Sequence, residues 1–98
     1  MVADAGDIWL ADVGRETRQL VVVVSRRRFH DLSGRALIVP QIDQPSATTG
    51  SPWTVSFDGV TFRADHIRSI AVNRLLERRD RLPADATQRL RSAIRNVV

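Results

Sequence analysis

The chain has 98 residues, which predicts a single domain covering residues 1–98. Its 43% apolar and 27% charged residues are typical of a soluble globular protein, and the lack of cysteine excludes a disulfide framework, a zinc ribbon and a thiol nucleophile. The net charge is +4 and all 15 basic residues are arginine, which favours an acidic partner such as nucleic acid. No apolar run is long enough to span a membrane and no signal peptide pattern is visible, so we expect a cytoplasmic location.

The first half of the chain has the pattern of three strands. Residues 6–13 alternate between apolar and polar, residues 20–25 (LVVVVS) are continuously apolar, and residues 36–42 (ALIVPQI) contain a proline near their end. The continuous run predicts a strand that is buried on both faces. Between these segments we expect a polar turn at residues 14–18, a strand exit at residues 26–28 and a loop at residues 30–34.

The second half predicts a loop, a hairpin, a further strand and one helix. Residues 44–52 are rich in loop-forming residues, and Asp58 and Gly59 form a hairpin turn between strands at residues 53–57 and 60–64. Residues 65–72 predict a turn followed by a strand, residues 75–82 are ambiguous, and residues 83–97 have helical apolar spacing. Strands followed by a helix, without βαβ alternation, predict a mainly β (α+β) antiparallel barrel or strongly bent sheet with a C-terminal helix.

Four segments occur in a characteristic order: GDIWLADV at 6–13, RQLVVVVS at 18–25, ALIVPQI at 36–42 and ADHIRSIAVNRL at 64–75. In this order and spacing they resemble the MazF/PemK family of ribonuclease toxins. The resemblance extends from about Gly6 to the C-terminal helix. It implies one MazF/PemK-like toxin domain with a small antiparallel barrel of SH3-like or CcdB-like type.

The resemblance also implies an activity: sequence-specific, metal-independent cleavage of single-stranded RNA, which inhibits growth. It implies a homodimer that forms the substrate groove and a cognate MazE-like antitoxin that blocks it, with no cofactor and no membrane partner. The expected products are a 2′,3′-cyclic phosphate and a 5′-hydroxyl. The absence of grouped acidic residues likewise predicts no metal site.

In the family, a catalytic arginine lies at the start of the second strand. Arg18 is the nearest candidate, but an alignment on Ser25 places Gln19 at that position. The family's hydroxyl partner at the end of the third strand, usually threonine, corresponds to Asp43, which could act as a base or pair with Arg18. These departures predict a non-standard catalytic pair.

Further residues are candidates for holding RNA: Arg26, Arg28, His66 and Arg68. His30, in a polar loop, is expected on the surface, with proton transfer as an alternative role. Trp9 and Trp53 are expected in the core or at a dimer face, with base stacking an alternative for Trp53. Two other functions stay open at this point: a CcdB-like toxin that inhibits gyrase, and a catalytically silent RNA-binding barrel.

Overall fold

A computed structural model describes residues 3–15, 17–42 and 51–98. Seven strands and two helices occur in these ranges, together with short 3₁₀ turns at Ala64–His66 and Val72–Arg74. The strands are β1 (Asp7–Gly14), β2 (Thr17–Val23), β3 (Arg35–Pro40), β4 (Thr54–Phe57), β5 (Val60–Arg63), β6 (Arg68–Ala71) and β7 (Leu75–Arg81). The helices are α1 (Arg27–Ser33) and α2 (Ala84–Val97). Neither helix is long and apolar enough to cross a membrane.

Five strands form one antiparallel sheet in the order β6-β3-β2-β1-β7, and β4 and β5 form a separate hairpin. The two edge strands, β6 and β7, are joined by only the Val72–Arg74 turn, so the sheet must bend to bring its edges towards each other at that end. Within the described ranges β6 and β7 do not pair, so the sheet is not closed. The predicted mainly β fold with a C-terminal helix is confirmed, with a strongly bent sheet rather than a closed barrel.

Both faces of the second half of β2 are buried, as its continuous apolar run predicts. Val21, Val22 and Val23 have no exposed surface. Val22 packs in a core with the β4–β5 hairpin and the α2 residues Ala86, Leu90 and Ala93, whereas Val21 and Val23 pack in a second core on the other face. This second core is completed by the bend of the sheet, with the following residues: Ala3, Trp9, Ala11, Ala36, Ile38, Ile70 and Leu75.

The hairpin turn at Asp58 and Gly59 is also as predicted. Both residues have positive φ, 53° and 79°, which is the backbone geometry of a type I′ turn. The ambiguous segment at 75–82 contains β7, a strand at the sheet edge in which only Leu75 is buried. Its exposed charged side chains are typical of an edge strand, which must not pair with another chain.

The prediction of a strand exit and loop at residues 26–34 is wrong, because this segment contains α1. The helix ends at Gly34, whose φ of 69° lets its N–H bond the carbonyl of His30 at 2.8 Å. His30 is buried and not on the surface: its Nδ1 donates to the Ala3 carbonyl at 3.0 Å, and its Nε2 lies 2.6 Å from Ser25 Oγ. A helix of seven residues depends on such tertiary contacts.

Candidate active site

One end of the sheet brings together the last residues of β1, the first of β2, the last of β3 and the first of β6. The registers place Asp12 opposite Arg18, Pro40 opposite Val21, and Arg68 opposite Ile38. We call this region the open end, and we define it by Asp12, Arg18, Gln41, Arg68 and Arg74. The opposite end of the sheet, where β1 begins and β2 ends, contains Asp7.

Gln41, directly after β3, makes the contact with β2 that lies nearest the open end. Its side-chain Oε1 accepts the Leu20 N–H at 2.6 Å, and its own N–H donates to the Leu20 carbonyl at 2.9 Å. The next residue, Ile42, donates to the Thr61 carbonyl of β5 at 3.0 Å, so the chain has turned towards the hairpin. As a result, β2 pairs with β1 from Thr17 onwards but with β3 only from Val21 onwards. Sequence reasoning missed Gln41, for which the only signal is an amide side chain directly after Pro40.

Arg18 lies on the part of β2 that β3 does not cover. It is exposed, and no side chain of the described ranges pairs with it, although Asp12 is its neighbour across the β1–β2 ladder. The Asp12 Oδ1 instead accepts the Gly14 N–H at 2.9 Å and lies 3.6 Å from Arg74 Nη1. The guanidinium donors of Arg18 are therefore available to an anion. Gln19, the alternative candidate, is half-buried and lies opposite Ala11.

Arg68 and His66 lie near the same end. Arg68 is exposed at the start of β6, and its Nη2 donates to the Val13 carbonyl at 2.7 Å, which ties β6 to the end of β1. His66 is exposed at the end of the 3₁₀ turn that precedes β6. In that turn the Asp65 carboxylate accepts Arg63 Nε at 2.7 Å, and this hydrogen bond lowers the pKa of Asp65.

The other candidates are not part of this cluster. Arg26 and Arg28 follow the far end of β2, which is about 20 Å long, and Arg26 borders a cleft of ≈ 210 Å³ between β2 and α2. Asp43 lies outside the described residues. Trp9 is buried, as expected, whereas Trp53 is 36% exposed.

The open end is suited to binding and stabilising an anion. Arg18, Arg68 and Arg74 all lie at this end of the sheet; Arg68 bonds the Val13 carbonyl and Arg74 pairs with Asp12, the residue opposite Arg18 in the ladder. Planar guanidinium groups bind phosphate oxygens through paired N–H donors. No group of three or more His, Cys, Asp or Glu side chains that could hold a metal ion occurs in residues 3–15, 17–42 and 51–98.

The fold is that of a small ribonuclease-toxin-like domain, and the sequence identifies its family. Residues 4–98 match the profile of the PemK-like, MazF-like toxins of type II toxin–antitoxin systems, so the chain belongs to this family. The expected family is therefore confirmed. No curated protein matches the chain.

Solved structures with the same fold cover almost the whole chain. A MazE–MazF complex from Deinococcus radiodurans is 25% identical, covers 99% of this chain and 96% of its own, and has a TM-score of 0.78. An endoribonuclease in complex with its cognate antitoxin from a mycobacterial species is 13% identical over 98% of this chain and 94% of its own, with a TM-score of 0.85. The Mycobacterium tuberculosis toxin MazF-mt6 is 16% identical, covers 93% and 94%, and has a TM-score of 0.73.

Proposed function

We propose that this protein is a sequence-specific, metal-independent endoribonuclease that cuts single-stranded RNA and inhibits growth. The observation that carries the proposal is Arg18, an exposed arginine without a partner among the described residues, on the uncovered start of β2 in a toxin of the MazF-like family. Solvent-exposed arginines are common, but one on the uncovered start of β2, at the same end of the sheet as Arg68 and Arg74, is placed to receive a phosphate.

The proposed reaction is an attack of the RNA 2′-oxygen on the adjacent phosphorus. A base removes the 2′-hydroxyl proton, a P–O2′ bond forms, the P–O5′ bond breaks, and an acid gives a proton to the leaving O5′. Arg18 stabilises the charge that develops on the phosphorane oxygens and serves as the acid. Asp43 is the proposed base or the group that orients Arg18. Gln19, the next residue of β2, is the alternative to Arg18 at the position of the family's catalytic arginine. The products are a 2′,3′-cyclic phosphate and a 5′-hydroxyl.

The remaining basic residues are proposed to hold the RNA in two places. His66 and Arg68 lie near the open end and hold the nucleotides close to the cut. Arg26 and Arg28, about 20 Å away along β2, hold the strand further out. Because the net charge of the chain is +4, RNA binding weakens as salt increases.

We also propose the partners and location that this function requires. Relatives of this fold occur as a MazE–MazF complex and as an endoribonuclease with its cognate antitoxin, which supports an acidic, MazE-like antitoxin that competes with RNA for the arginines. A homodimer would extend the basic surface across two copies. RNA and an antitoxin are cytoplasmic partners, so the protein acts in the cytoplasm.

The test is RNA cleavage by the purified protein in the presence of EDTA. We expect defined cuts with 5′-hydroxyl ends, and we expect Arg18→Ala to slow cleavage about 100-fold or more, because it removes charge stabilisation in the transition state. Arg95→Ala, at an exposed arginine of α2, is the matched control and should cleave at the wild-type rate. Intact RNA together with growth arrest would instead indicate a gyrase inhibitor, and RNA binding with neither effect a silent RNA-binding barrel.

A further inference from the structure

A cleft of ≈ 220 Å³ opens between the bent sheet and the tip of the β4–β5 hairpin. Its lining consists of Ile8, Leu20, Phe57, Asp58, Val60, Phe62, Arg79 and Asp80. The walls are apolar, and three of them, Leu20, Phe57 and Val60, are only half-buried and so remain accessible. Pockets for drug-sized ligands have volumes of about 300–1,000 Å³, so this smaller cleft suits a single planar ring system.

The cleft lies next to Arg18. Side chains alternate between the two faces of a strand, so Arg18 is on the same face of β2 as Leu20, which lines the cleft. Two residues along a strand are about 7 Å apart, a separation that one nucleotide step can bridge. A phosphate held by Arg18 would therefore place a neighbouring base at the mouth of the cleft.

The rim of the cleft favours a base over a phosphate. Asp58 has no partner among the described residues, and Asp80 uses Oδ1 to accept the Arg81 N–H at 2.7 Å, which leaves its Oδ2 unpaired within the same residues. With Arg79, the rim has two carboxylates and one guanidinium, a net charge of −1 that repels phosphate. Carboxylates accept hydrogen bonds from amino groups on base edges, as Asp and Glu do from cytosine N4.

We propose that this cleft is a base-binding subsite that holds one unstacked RNA base beside the cut, and that it selects a base with an exocyclic amino group. Cytosine, adenine and guanine have such a group. Uracil has no exocyclic amino group, and its one N–H on this edge is flanked by two carbonyl oxygens that the carboxylates repel, so uracil is disfavoured. The apolar walls take the face of the ring, which is how single-stranded RNA bases are commonly bound. The inference rests on the proposed ribonuclease function.

The test compares the cut sites of the wild type and the double variant Asp58→Asn, Asp80→Asn in an RNA library of random sequence, read by sequencing the 5′-hydroxyl ends. Asparagine tolerates the positive φ at position 58, and the Asp80→Asn change keeps a side-chain oxygen that can accept the Arg81 N–H, so both changes preserve the fold. Asp31→Asn, which removes one negative charge at an exposed α1 residue, is the control.

We expect the wild type to disfavour uracil at one position flanking the cut. In the double variant the ratio of amino-bearing bases to uracil at that position falls about fivefold or more, because the carboxamide N–H groups now donate to uracil carbonyls. Asp31→Asn keeps the wild-type profile. Cleavage by the double variant with an unchanged base profile overturns the proposal.

A second measurement separates failure of the subsite from failure of the ribonuclease function. 2′-O-methyl oligonucleotides cannot undergo attack by the 2′-oxygen, and their binding is measured by fluorescence anisotropy with all-uracil and all-cytosine sequences. Tighter binding of the cytosine sequence that the double variant loses supports the subsite even if the protein cuts no RNA. Equal affinities for both sequences in the wild type overturn it.

Discussion

The two ends of the sheet use arginine in opposite ways. At the end that contains Asp7, this carboxylate is almost fully buried and binds two arginines: Arg81 Nη1 lies 2.7 Å and Arg78 Nε 3.5 Å from its Oδ1. Its Oδ2 accepts the Asp4 N–H at 2.9 Å. We call this region the closed end. At the open end, Arg18 has no such partner among the described residues.

This difference shows that the role of an arginine is indicated by whether it has a carboxylate partner. The number of arginines in the chain and their exposure do not indicate it. A buried carboxylate is costly unless it is paired and hydrogen-bonded, so Arg81 is committed to Asp7. Asp12 could have done the same for Arg18, its neighbour across the ladder, but it contacts Gly14 and Arg74 instead. The open end therefore keeps a cation free for a ligand.

The largest expected effect on stability is at the closed end. Asp7→Ala leaves the Asp4 N–H without its acceptor and removes the carboxylate that Arg78 and Arg81 both contact. We therefore expect a loss of about 2 kcal/mol in the free energy of unfolding. Urea denaturation followed by circular dichroism measures this loss. Asp31→Ala, at an exposed residue of α1, should change it little. Equal stability of the Asp7→Ala variant and the wild type would contradict a structural role for this pair.

A smaller loss of stability is expected when Gln41, at the open end, is replaced. Gln41→Ala removes the acceptor of the Leu20 N–H, which should cost about 1 kcal/mol and loosen the strand that carries Arg18. We also expect RNA cleavage to slow about fivefold through kcat, because a displaced Arg18 loses about 1 kcal/mol of transition-state stabilisation.

Gln41→Glu is the matched control for this change, because its carboxylate oxygen can still accept the Leu20 N–H. Recovery of both stability and kcat in this variant would support a positioning role for the side chain. A slow Gln41→Glu enzyme with wild-type stability would show that Gln41 acts in some other way.

The smallest expected effect concerns the Asp65–Arg63 pair before His66. The Arg63 hydrogen bond lowers the pKa of Asp65 below its unfolded value of about 3.9, so the pair stabilises the fold above that pH and this contribution disappears as the pH falls through the folded pKa. Asp65→Asn should therefore lower Tm slightly at pH 7 and leave it unchanged at about pH 2. A difference in Tm that persists undiminished at the acidic pH would rule out this ionic contribution.

Much of the sheet could be predicted because local patterns determined it. The apolar run before Ser25 required burial on both faces, and Asp58 with Gly59 required a tight hairpin turn. The α1 helix was missed because it depends on tertiary contacts that a local pattern does not show. Its buried side chain, His30, bonds Ser25 and Ala3, the latter 27 residues away in the chain. The β7 strand was ambiguous because one residue, Leu75, is buried in it.

The site could be predicted only in part for the same reason. The position of Arg18 at the start of β2 follows from the order of strands, and it is exposed as a ligand-binding residue must be. Its exposure depends on where the chain after β3 leaves β2, beyond the Leu20–Gln41 contact, which spans 21 residues and which no short pattern encodes. By contrast, the separation of Arg26 and Arg28 from Arg18 follows from the length of β2, which lies between them.

The contact between His30 and Ala3 has a practical consequence for protein engineering. The carbonyl of Ala3 and the carboxylate of Asp4 both hold α1, through His30 and through the Arg27 N–H at 3.3 Å. A tag or fusion partner joined immediately before Ala3 would disturb these two hydrogen bonds. Val98 is 91% exposed, so an affinity handle or fluorophore attached after it leaves the helix anchor undisturbed.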